Sequence, residues 1–246
     1  MIPPTSIDGT DITGATIDGT DVTEITVDGD TVFTAGAPTQ IPAANDLYAH
    51  YDFSTVDPNQ TTNIPDISGN GENLVNGSYP GANSTINGIQ AGTFDNASSL
   101  FTNTFSVRNQ PFLWAIVQEL NPAGSRDRYI SMSSQEFTAI GSNNDNGLWE
   151  IFTFQGSFQG SSDLTTQLHL LQFKGTDIFR EDGQQTGSGS IGNFSHDHIA
   201  LGAAGSNVNA EYYNGAIGEV AFWDGDQTSN ISQIESYFAN KWNITI

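Results

Sequence analysis

The chain has 246 residues, of which 28 are acidic and only 6 are basic, so its formal net charge is −22, and it contains no cysteine. Nucleic acid is not an expected partner, because binding phosphate needs a cationic patch. Without cysteine there are no disulfides and no thiolate metal sites, and no apolar run is long enough to insert across a bilayer.

A repeat with a period of ten residues occupies residues 5–33. Each copy places an Asp-Gly pair, at residues 8–9, 18–19 and 28–29, between short β-branched runs. This pattern predicts short strands and tight turns, with a hairpin between Ile25 and Val32. So small a segment cannot bury its own apolar residues or cover its own strand edges. We assign residues 1–36 to anchoring or homo-oligomerisation, with a trimer favoured; a meander packed on the same chain is the alternative.

A linker is predicted at residues 37–45, because Ala35–Ala44 carries two prolines and no periodicity. Beyond it, short apolar runs alternate with Gly, Asn and Ser, and the clearest strands are Phe112–Val117, Leu148–Phe154, Leu168–Phe173 and Ile199–Gly202. Many short strands and hardly any helix predict an antiparallel β-sandwich. Its polar connections at residues 143–147 and 155–163 are long enough to hold a binding site.

The chain is predicted to close with a buried strand and one helix. Ile217–Trp223 is nearly continuous and apolar, and a turn follows at Asp224-Gly225-Asp226. Asn230 is a predicted N-cap with Gln233 as its capping-box partner, and apolar residues then recur at helical spacing up to Trp242. We expect this helix to be held on the sandwich by packing.

Three segments carry a family resemblance. Gly215–Asp224 has the form Gly-x-Ile-Gly-Glu-Val-x-x-Trp-Asp and leads to Lys241-Trp242, Leu47–Phe53 has the form of an opening strand, and Asp66–Gly71 is Asp-x-Ser-Gly-Asn-Gly. In this order, over residues 46–246, they resemble the laminin G-like, concanavalin A-like jelly rolls. The resemblance implies an all-β sandwich head with a short C-terminal helix, a fold that hosts lectins, glycanases, adhesins and virion decorations. The N-terminal repeat resembles attachment regions of viral tail and spike proteins.

No catalytic residue is predicted. Glycanases of this fold, of the laminarinase and agarase type, carry two carboxylates on one strand in the pattern Glu-x-Asp-x-(x)-Glu. Here Ala221 replaces the middle aspartate and Asp224 the last glutamate. We therefore expect Glu219 to fill a structural strand position and expect the chain not to be an enzyme.

Metal sites are weakly indicated. His196 and His198 form a His-x-His pair without a third ligand at recognisable spacing, and solvent-facing histidines at a strand entry are the expected outcome. Asp66, Asn70 and Glu72 crowd one turn and could bind calcium through oxygen. The alternative is that Asp66 and Asn70 hold a tight turn through hydrogen bonds to the backbone.

The candidate ligand-binding residues are Trp149, Tyr129, Arg126 and Arg128. Trp114, Trp223 and Trp242 lie in apolar runs and are assigned to the core, whereas Trp149 follows a polar loop and Tyr129 stands beside the two arginines. These arginines could face an anionic sugar or pair with Asp127 and a neighbouring carboxylate.

The carboxylates are spread among aromatic and β-branched residues, which is typical of a folded protein with an acidic, salt-adapted surface. The N-terminus lacks the basic start and apolar core of a secretory signal. We therefore predict a virion surface protein of a halophilic archaeal virus: a spike, tail fibre or capsid decoration that contacts other virion proteins and host glycans or the S-layer. The alternative is a carbohydrate-binding or adhesion module of a haloarchaeal cell-surface protein; a glycoside hydrolase ranks third.

Overall fold

The computed structural model describes residues 6–7, 10–11, 16–17, 20–21, 24–27, 30–34, 40–121, 126–132, 138–143, 148–153, 156–160, 165–190, 192, 195–203 and 212–246. The chain forms two compact units, Met1–Ile41 and Pro42–Ile246. We call the second unit the head.

The first unit contains three successive antiparallel hairpins. They are β1 (Ser6–Ile7) with β2 (Thr10–Asp11), β3 (Thr16–Ile17) with β4 (Thr20–Asp21), and β5 (Glu24–Val27) with β6 (Asp30–Thr34). Val27 pairs with Asp30, so that only Asp28 and Gly29 join the two strands, and the predicted hairpin between Ile25 and Val32 is confirmed. Among the described strands, each of these six pairs only within its own hairpin.

The head is a sandwich of two antiparallel sheets. Sheet A contains eight strands: β7 (Leu47–Asp52), β9 (Ser84–Ile86), β10 (Ile89–Asp95), β13 (Phe112–Leu120), β18 (Leu168–Phe173), β19 (Asp177–Glu181), β20 (Gln184–Gly189) and β23 (Asn214–Asp224). Sheet B contains seven: β8 (Leu74–Ser78), β11 (Ser99–Thr102), β14 (Arg126–Met132), β15 (Thr138–Asn143), β16 (Leu148–Thr153), β17 (Gly156–Gln159) and β22 (Ile199–Leu201). A small ribbon pairs β12 (Arg108–Asn109) with β21 (Ser195–His196).

Sheet A runs in the order β20-β19-β18-β13-β23-β10-β9, and sheet B in the order β17-β16-β15-β14-β22-β11-β8. Strand β23 is the centre of sheet A. One of its edges pairs with β13 along its whole length, and the other pairs first with β10 and then with β7. Its residues from Ala216 to Trp223 are all buried, so both of its faces are covered, which explains why its sequence is apolar without alternation.

The core lies between the two sheets and is rich in aromatic rings. Trp114, Phe112, Phe173 and Phe222 pack there at ring-centroid distances of 4.9–6.3 Å. Trp114, Trp223 and Trp242 are all fully buried, as predicted. The predicted all-β antiparallel sandwich with one C-terminal helix is thus confirmed.

The helix α1 spans Ile231–Trp242 and packs on sheet A through its apolar face. Asn230 precedes it, but the predicted capping box is wrong: the Asn230 side chain makes no cap and instead donates to Gln227 Oε1 at 2.7 Å. Gly218 of β23 leaves room for the helix, because a Cβ there would lie 2.6 Å from the Trp242 ring. No helix in the described part of the chain is both long and apolar enough to cross a membrane.

The head begins at Pro42, inside the predicted linker. The Pro42 carbonyl accepts a hydrogen bond from Trp223 Nε1 at 3.0 Å, and a 3₁₀ turn at Ala44–Asp46 follows. Asp46 then accepts from Gln227 Nε2 at 3.1 Å. These contacts attach the entering chain to the turn after β23; residues 35–39 lie outside the described residues.

Candidate functional site

Four connections between strands of the head lie outside the described residues and begin and end at the same end of the sandwich. We call this end the loop end. Leu120 pairs with Gly215 in sheet A, and Arg126 pairs with Asn143 in sheet B. Because only five residues separate Leu120 from Arg126, these sheet ends meet. Residues 122–125, 144–147, 161–164 and 204–211, which join strands at this end, lie outside the described residues. Of the two predicted binding loops, residues 143–147 adjoin this end, whereas residues 155–163 contain strand β17.

The predicted aromatic platform is wrong, because Tyr129 and Trp149 are both fully buried. Their rings lie between the sheets in T-shaped contact, with centroids 5.6 Å apart. The cause is strand alternation: Trp149 and Ile151 face the core, so the residue between them faces outward. The structure brings these two aromatic residues into contact in the core, whereas the sequence analysis names each of them as a surface candidate.

Arg128 and Glu150 occupy the outward face of sheet B. Arg128 pairs with Gly141 across one ladder, and Gly141 pairs with Glu150 across the next. With only a hydrogen at Gly141, the Arg128 side chain can extend across it, and its Nη2 lies 3.6 Å from Glu150 Oε2. Glu150 is therefore a carboxylate partner of Arg128, and the side chain of Asp127, the other predicted partner, lies outside the described residues. Arg126 begins the same strand, but its side chain lies outside the described residues.

Polar side chains also lie inside the core at the loop end, on the other side of sheet B from the Arg128–Glu150 pair. We call Gln118, Tyr129, Trp149, His169 and Tyr213 the loop-end cluster. Gln118 Nε2 donates to the Thr166 carbonyl at 2.7 Å and lies 3.3 Å from His169 Nε2, while Tyr213 Oη lies 2.7 Å from Gln118 Oε1. Among the described residues, Tyr129 Oη and His169 Nδ1 have no hydrogen-bond partner.

Burial sets the protonation of this cluster. It lowers the pKa of His169 to about 3, and the nearby Thr166 carbonyl offsets this only in part. Burial first, and the charge of Glu181 second, raise the pKa of Tyr129 well above its usual value. At neutral pH the imidazole is therefore uncharged and the phenol keeps its proton.

A second buried cluster surrounds Glu219 where helix α1 meets sheet A; we call it the closing cluster. Its carboxylate accepts from four side chains, at 2.6 Å from His50 Nε2, 2.9 Å from Tyr237 Oη, 2.7 Å from Trp242 Nε1 and 2.7 Å from Lys241 Nζ. Burial alone raises the pKa of Glu219, but the hydrogen bond from His50 and the charge of Lys241 outweigh it, so the pKa is lowered. Glu219 thus has the structural position that the sequence predicts.

The predicted calcium residues form a tight turn. Asp66 Oδ1 accepts from the backbone of His50 and Ser68, and Oδ2 accepts from Ser68 Oγ and the Glu72 backbone. Asn70 Nδ2 donates to the Leu47 carbonyl at 2.9 Å. Four donors on one carboxylate are what the turn-holding alternative requires. Among the described residues, no group of three or more histidine or acidic side chains is placed to hold a metal ion.

The expectation of solvent-facing histidines in the His-x-His pair is wrong, since His196 and His198 are both buried. His196 Nε2 lies 2.9 Å from Tyr48 Oη, and the His198 ring stacks on Phe101 at 6.1 Å. Burial, with a smaller contribution from the charge of Arg108, lowers the pKa of His196 to about 3. Both rings are parts of aromatic clusters.

Sequence reasoning missed Glu150, Gln118 and His169. The available signal was a polar residue inside an apolar run: Gln118 ends the run that starts at Phe112, and His169 interrupts Leu168–Phe173. Polar side chains at such positions are buried and need partners. Glu150 carries no comparable signal, because its role depends on Arg128 and Gly141 in neighbouring strands.

No protein-family model and no curated protein sequence matches this chain. Solved structures match it in fold. Domain 4 of AbnA, a GH43 extracellular arabinanase from Geobacillus stearothermophilus solved with arabinotriose, matches with a TM-score of 0.54 and 16% identity over 78% of this chain and 98% of that one. The binding domain of Paraclostridial Mosquitocidal Protein 1 matches with a TM-score of 0.53 and 14% identity over 81% and 53% of the two chains.

A Trypanosoma rangeli sialidase solved with sialic acid matches with a TM-score of 0.54 and 12% identity, over 89% of this chain and 36% of the sialidase. The matched region is thus about a third of the sialidase and about half of the mosquitocidal structure. The head shares its sandwich fold with glycan-related structures. These matches contradict the prediction that the chain is not an enzyme, because the fold occurs within glycan-cleaving enzymes and does not set the chain apart from them.

Proposed function

We propose that the head is a glycan-binding module and that the glycan binds at the loop end. The observation that carries this proposal is the sandwich fold, which it shares with an arabinanase domain solved with arabinotriose. The loop end adds support because it combines an ion pair with buried polar groups. Sites that select sugars need such convergent polar groups.

The Arg128–Glu150 pair provides the polar groups on the outer face of sheet B. A guanidinium offers several donors in a fixed plane, and a carboxylate accepts from hydroxyl groups. Arg128 is 2% exposed and Glu150 is 8% exposed, so water is largely excluded around them. Hydrogen bonds to a charged partner in such surroundings are stronger than in water.

The test is binding of the full chain to a panel of oligosaccharides that includes arabinotriose and sialic acid, in about 2–3 M salt to suit the acidic surface. We expect Glu150→Gln to weaken binding about 10-fold, because a charged acceptor is lost. Glu72→Gln, the same change in the turn at the opposite end, is expected to leave binding unchanged. A panel without any binder, or equal binding by both variants, contradicts the proposal. Sugar release is assayed in the same samples.

We further propose that residues 1–36 assemble copies of the chain, with a trimer favoured, and display the heads on a virion of a halophilic archaeal virus. Contacts with other virion proteins and with host glycans or the S-layer follow from this placement. Support comes from the net charge of −22 and from three hairpins that pair only within themselves among the described strands. A haloarchaeal cell-surface adhesion module is the alternative, with display at the cell surface.

Light scattering tests the assembly role. In about 2–3 M salt the full chain is expected to be a multimer and the head, residues 42–246, a monomer, because unpaired hairpin edges recruit further strands. The matched control is the full chain with Ile7, Ile17 and Val27 changed to Lys, since charged edge residues oppose strand pairing. If both the full chain and the head are monomers, assembly through residues 1–36 is contradicted.

A further inference from the structure

Two buried polar atoms of the loop-end cluster have no protein partner among the described residues: Oη of Tyr129 and Nδ1 of His169. Tyr129 is 0% exposed and His169 is 1% exposed, so bulk water does not compensate them. Buried polar groups in folded proteins are almost always hydrogen-bonded, and each exception calls for an explanation. Here two exceptions occur in side chains that touch each other.

The two unpartnered atoms belong to rings in direct contact. The centroids of the Tyr129 and His169 rings are 5.5 Å apart and the rings are tilted by 40°, so the two side chains line the same part of the core. Aromatic walls surround the imidazole, with Trp149 at 4.4 Å and Phe179 stacked at 5.7 Å. A hydroxyl both donates and accepts, so it satisfies the phenol and either tautomer of a neutral imidazole.

The remainder of the cluster is already satisfied. Tyr213 Oη has Gln118 Oε1 at 2.7 Å and the Glu119 carbonyl at 2.8 Å, and Gln118 Nε2 has the Thr166 carbonyl. The open hydrogen-bonding capacity is therefore confined to the Tyr129 and His169 side of the cluster. Trp149 lies on this side of the cluster and directly precedes Glu150 on β16, so the cluster is next to the outer face of sheet B.

We propose that Tyr129 Oη and His169 Nδ1 together bind one hydroxyl group of the glycan, which enters between the two sheets at the loop end. This inference rests on the glycan-binding function proposed above and adds to it a specific ligand group. The ligand class is a sugar with a projecting hydroxyl, such as a terminal hydroxymethyl, because Tyr129 and His169 are buried and only a group that projects from the sugar ring would reach them. Such a site discriminates strongly against a ligand that lacks the hydroxyl, because that ligand leaves both protein groups unpaired.

The experiment uses the full chain, its Tyr129→Phe variant, and Tyr79→Phe as the matched control. Tyr79 Oη is also buried without a partner among the described residues, but its ring packs on Phe53 and Phe94, and Phe94 separates it from Tyr213 of the loop-end cluster. The probes are the panel glycan with the lowest Kd and the set of its monodeoxy analogues. Circular dichroism confirms that each variant is folded before titration.

We expect Tyr129→Phe to raise the Kd about 10-fold and Tyr79→Phe to leave it unchanged. For one monodeoxy analogue the effect of Tyr129→Phe is expected to disappear, which identifies the hydroxyl. An unchanged Kd in Tyr129→Phe, or an equal loss for every analogue, overturns the inference and leaves an ordered water as the occupant while glycan binding stands. If the unaltered chain binds no glycan, both the binding function and this inference fail.

Discussion

The closing cluster and the loop-end cluster are both buried polar groups in an aromatic core, but they differ in how completely they are satisfied. In the closing cluster the Glu219 carboxylate accepts from four side chains, and Lys241 also reaches Asp52 Oδ2 at 2.7 Å. In the loop-end cluster two atoms have no partner among the described residues. Within the described residues, one cluster is fully hydrogen-bonded and the other is not.

This difference separates a structural role from a binding role. A saturated buried network adds rigidity and fixes one arrangement, because any change leaves a charge or a donor unpaired. Here it fixes helix α1 against β7 and β23. An incomplete network keeps hydrogen-bonding capacity for a molecule from outside. We therefore expect substitutions in the closing cluster to alter stability, and substitutions in the loop-end cluster to alter ligand binding and the pH dependence of stability.

The largest expected effect is on the closing cluster. Glu219→Gln replaces an oxygen acceptor by an NH₂ donor that faces other donors, so at least one partner is left unpaired. We expect the free energy of unfolding to fall by about 3–5 kcal/mol, the cost of breaking a buried ion pair. Denaturant unfolding in high salt measures it.

The matched control for Glu219→Gln is Glu119→Gln, the same substitution at an exposed position on the neighbouring strand β13. It is expected to change the free energy of unfolding by less than about 0.5 kcal/mol. Equal effects at the two positions would mean that the closing cluster does not hold the helix through its carboxylate.

The sequence predicts sheet A better than sheet B, for a physical reason. Strand β18 has the predicted bounds because both of its faces are buried and four of its six residues are apolar. The sequence predicts a loop at strand β17, because Phe158 is the only residue of Gly156-Ser157-Phe158-Gln159 that favours strands; the structure places this strand at the edge of its sheet. An edge strand forms when a neighbouring strand provides backbone hydrogen-bonding partners. The local sequence does not show whether such a neighbour is present.

The sites were harder to predict than the fold because their contacts are distant along the chain. His50 and Glu219 are 169 residues apart, so the family pattern alone indicated that Glu219 is structural. The polar loop before Trp149 predicts a surface position for it, yet a shift of one residue along a strand moves a side chain to the other face of the sheet. Similarly, Asn230 has the sequence of a cap, but Gln227 competes for its side chain.

The smaller expected effect is on the loop-end cluster and depends on pH. The unfolded chain binds a proton at His169 below a pKa of about 6.5, whereas burial holds the pKa in the folded protein at about 3. Because the unfolded state binds more protons between these values, stability falls as pH falls. From pH 6 to pH 5 this histidine is expected to lower the free energy of unfolding by roughly 1.2 kcal/mol.

His169→Phe keeps an aromatic ring within the walls formed by Trp149 and Phe179 but cannot bind a proton. The difference between its unfolding free energy and that of the unaltered chain should therefore shift in favour of the variant by roughly 1.2 kcal/mol between pH 6 and pH 5. At pH 8 the imidazole is neutral in both states, so the difference there measures packing alone and serves as the control. Parallel pH profiles would show that His169 titrates normally and is reached by water. That result would remove the distinction between the two clusters, because a hydrated imidazole has no unmet hydrogen bond for a ligand to satisfy.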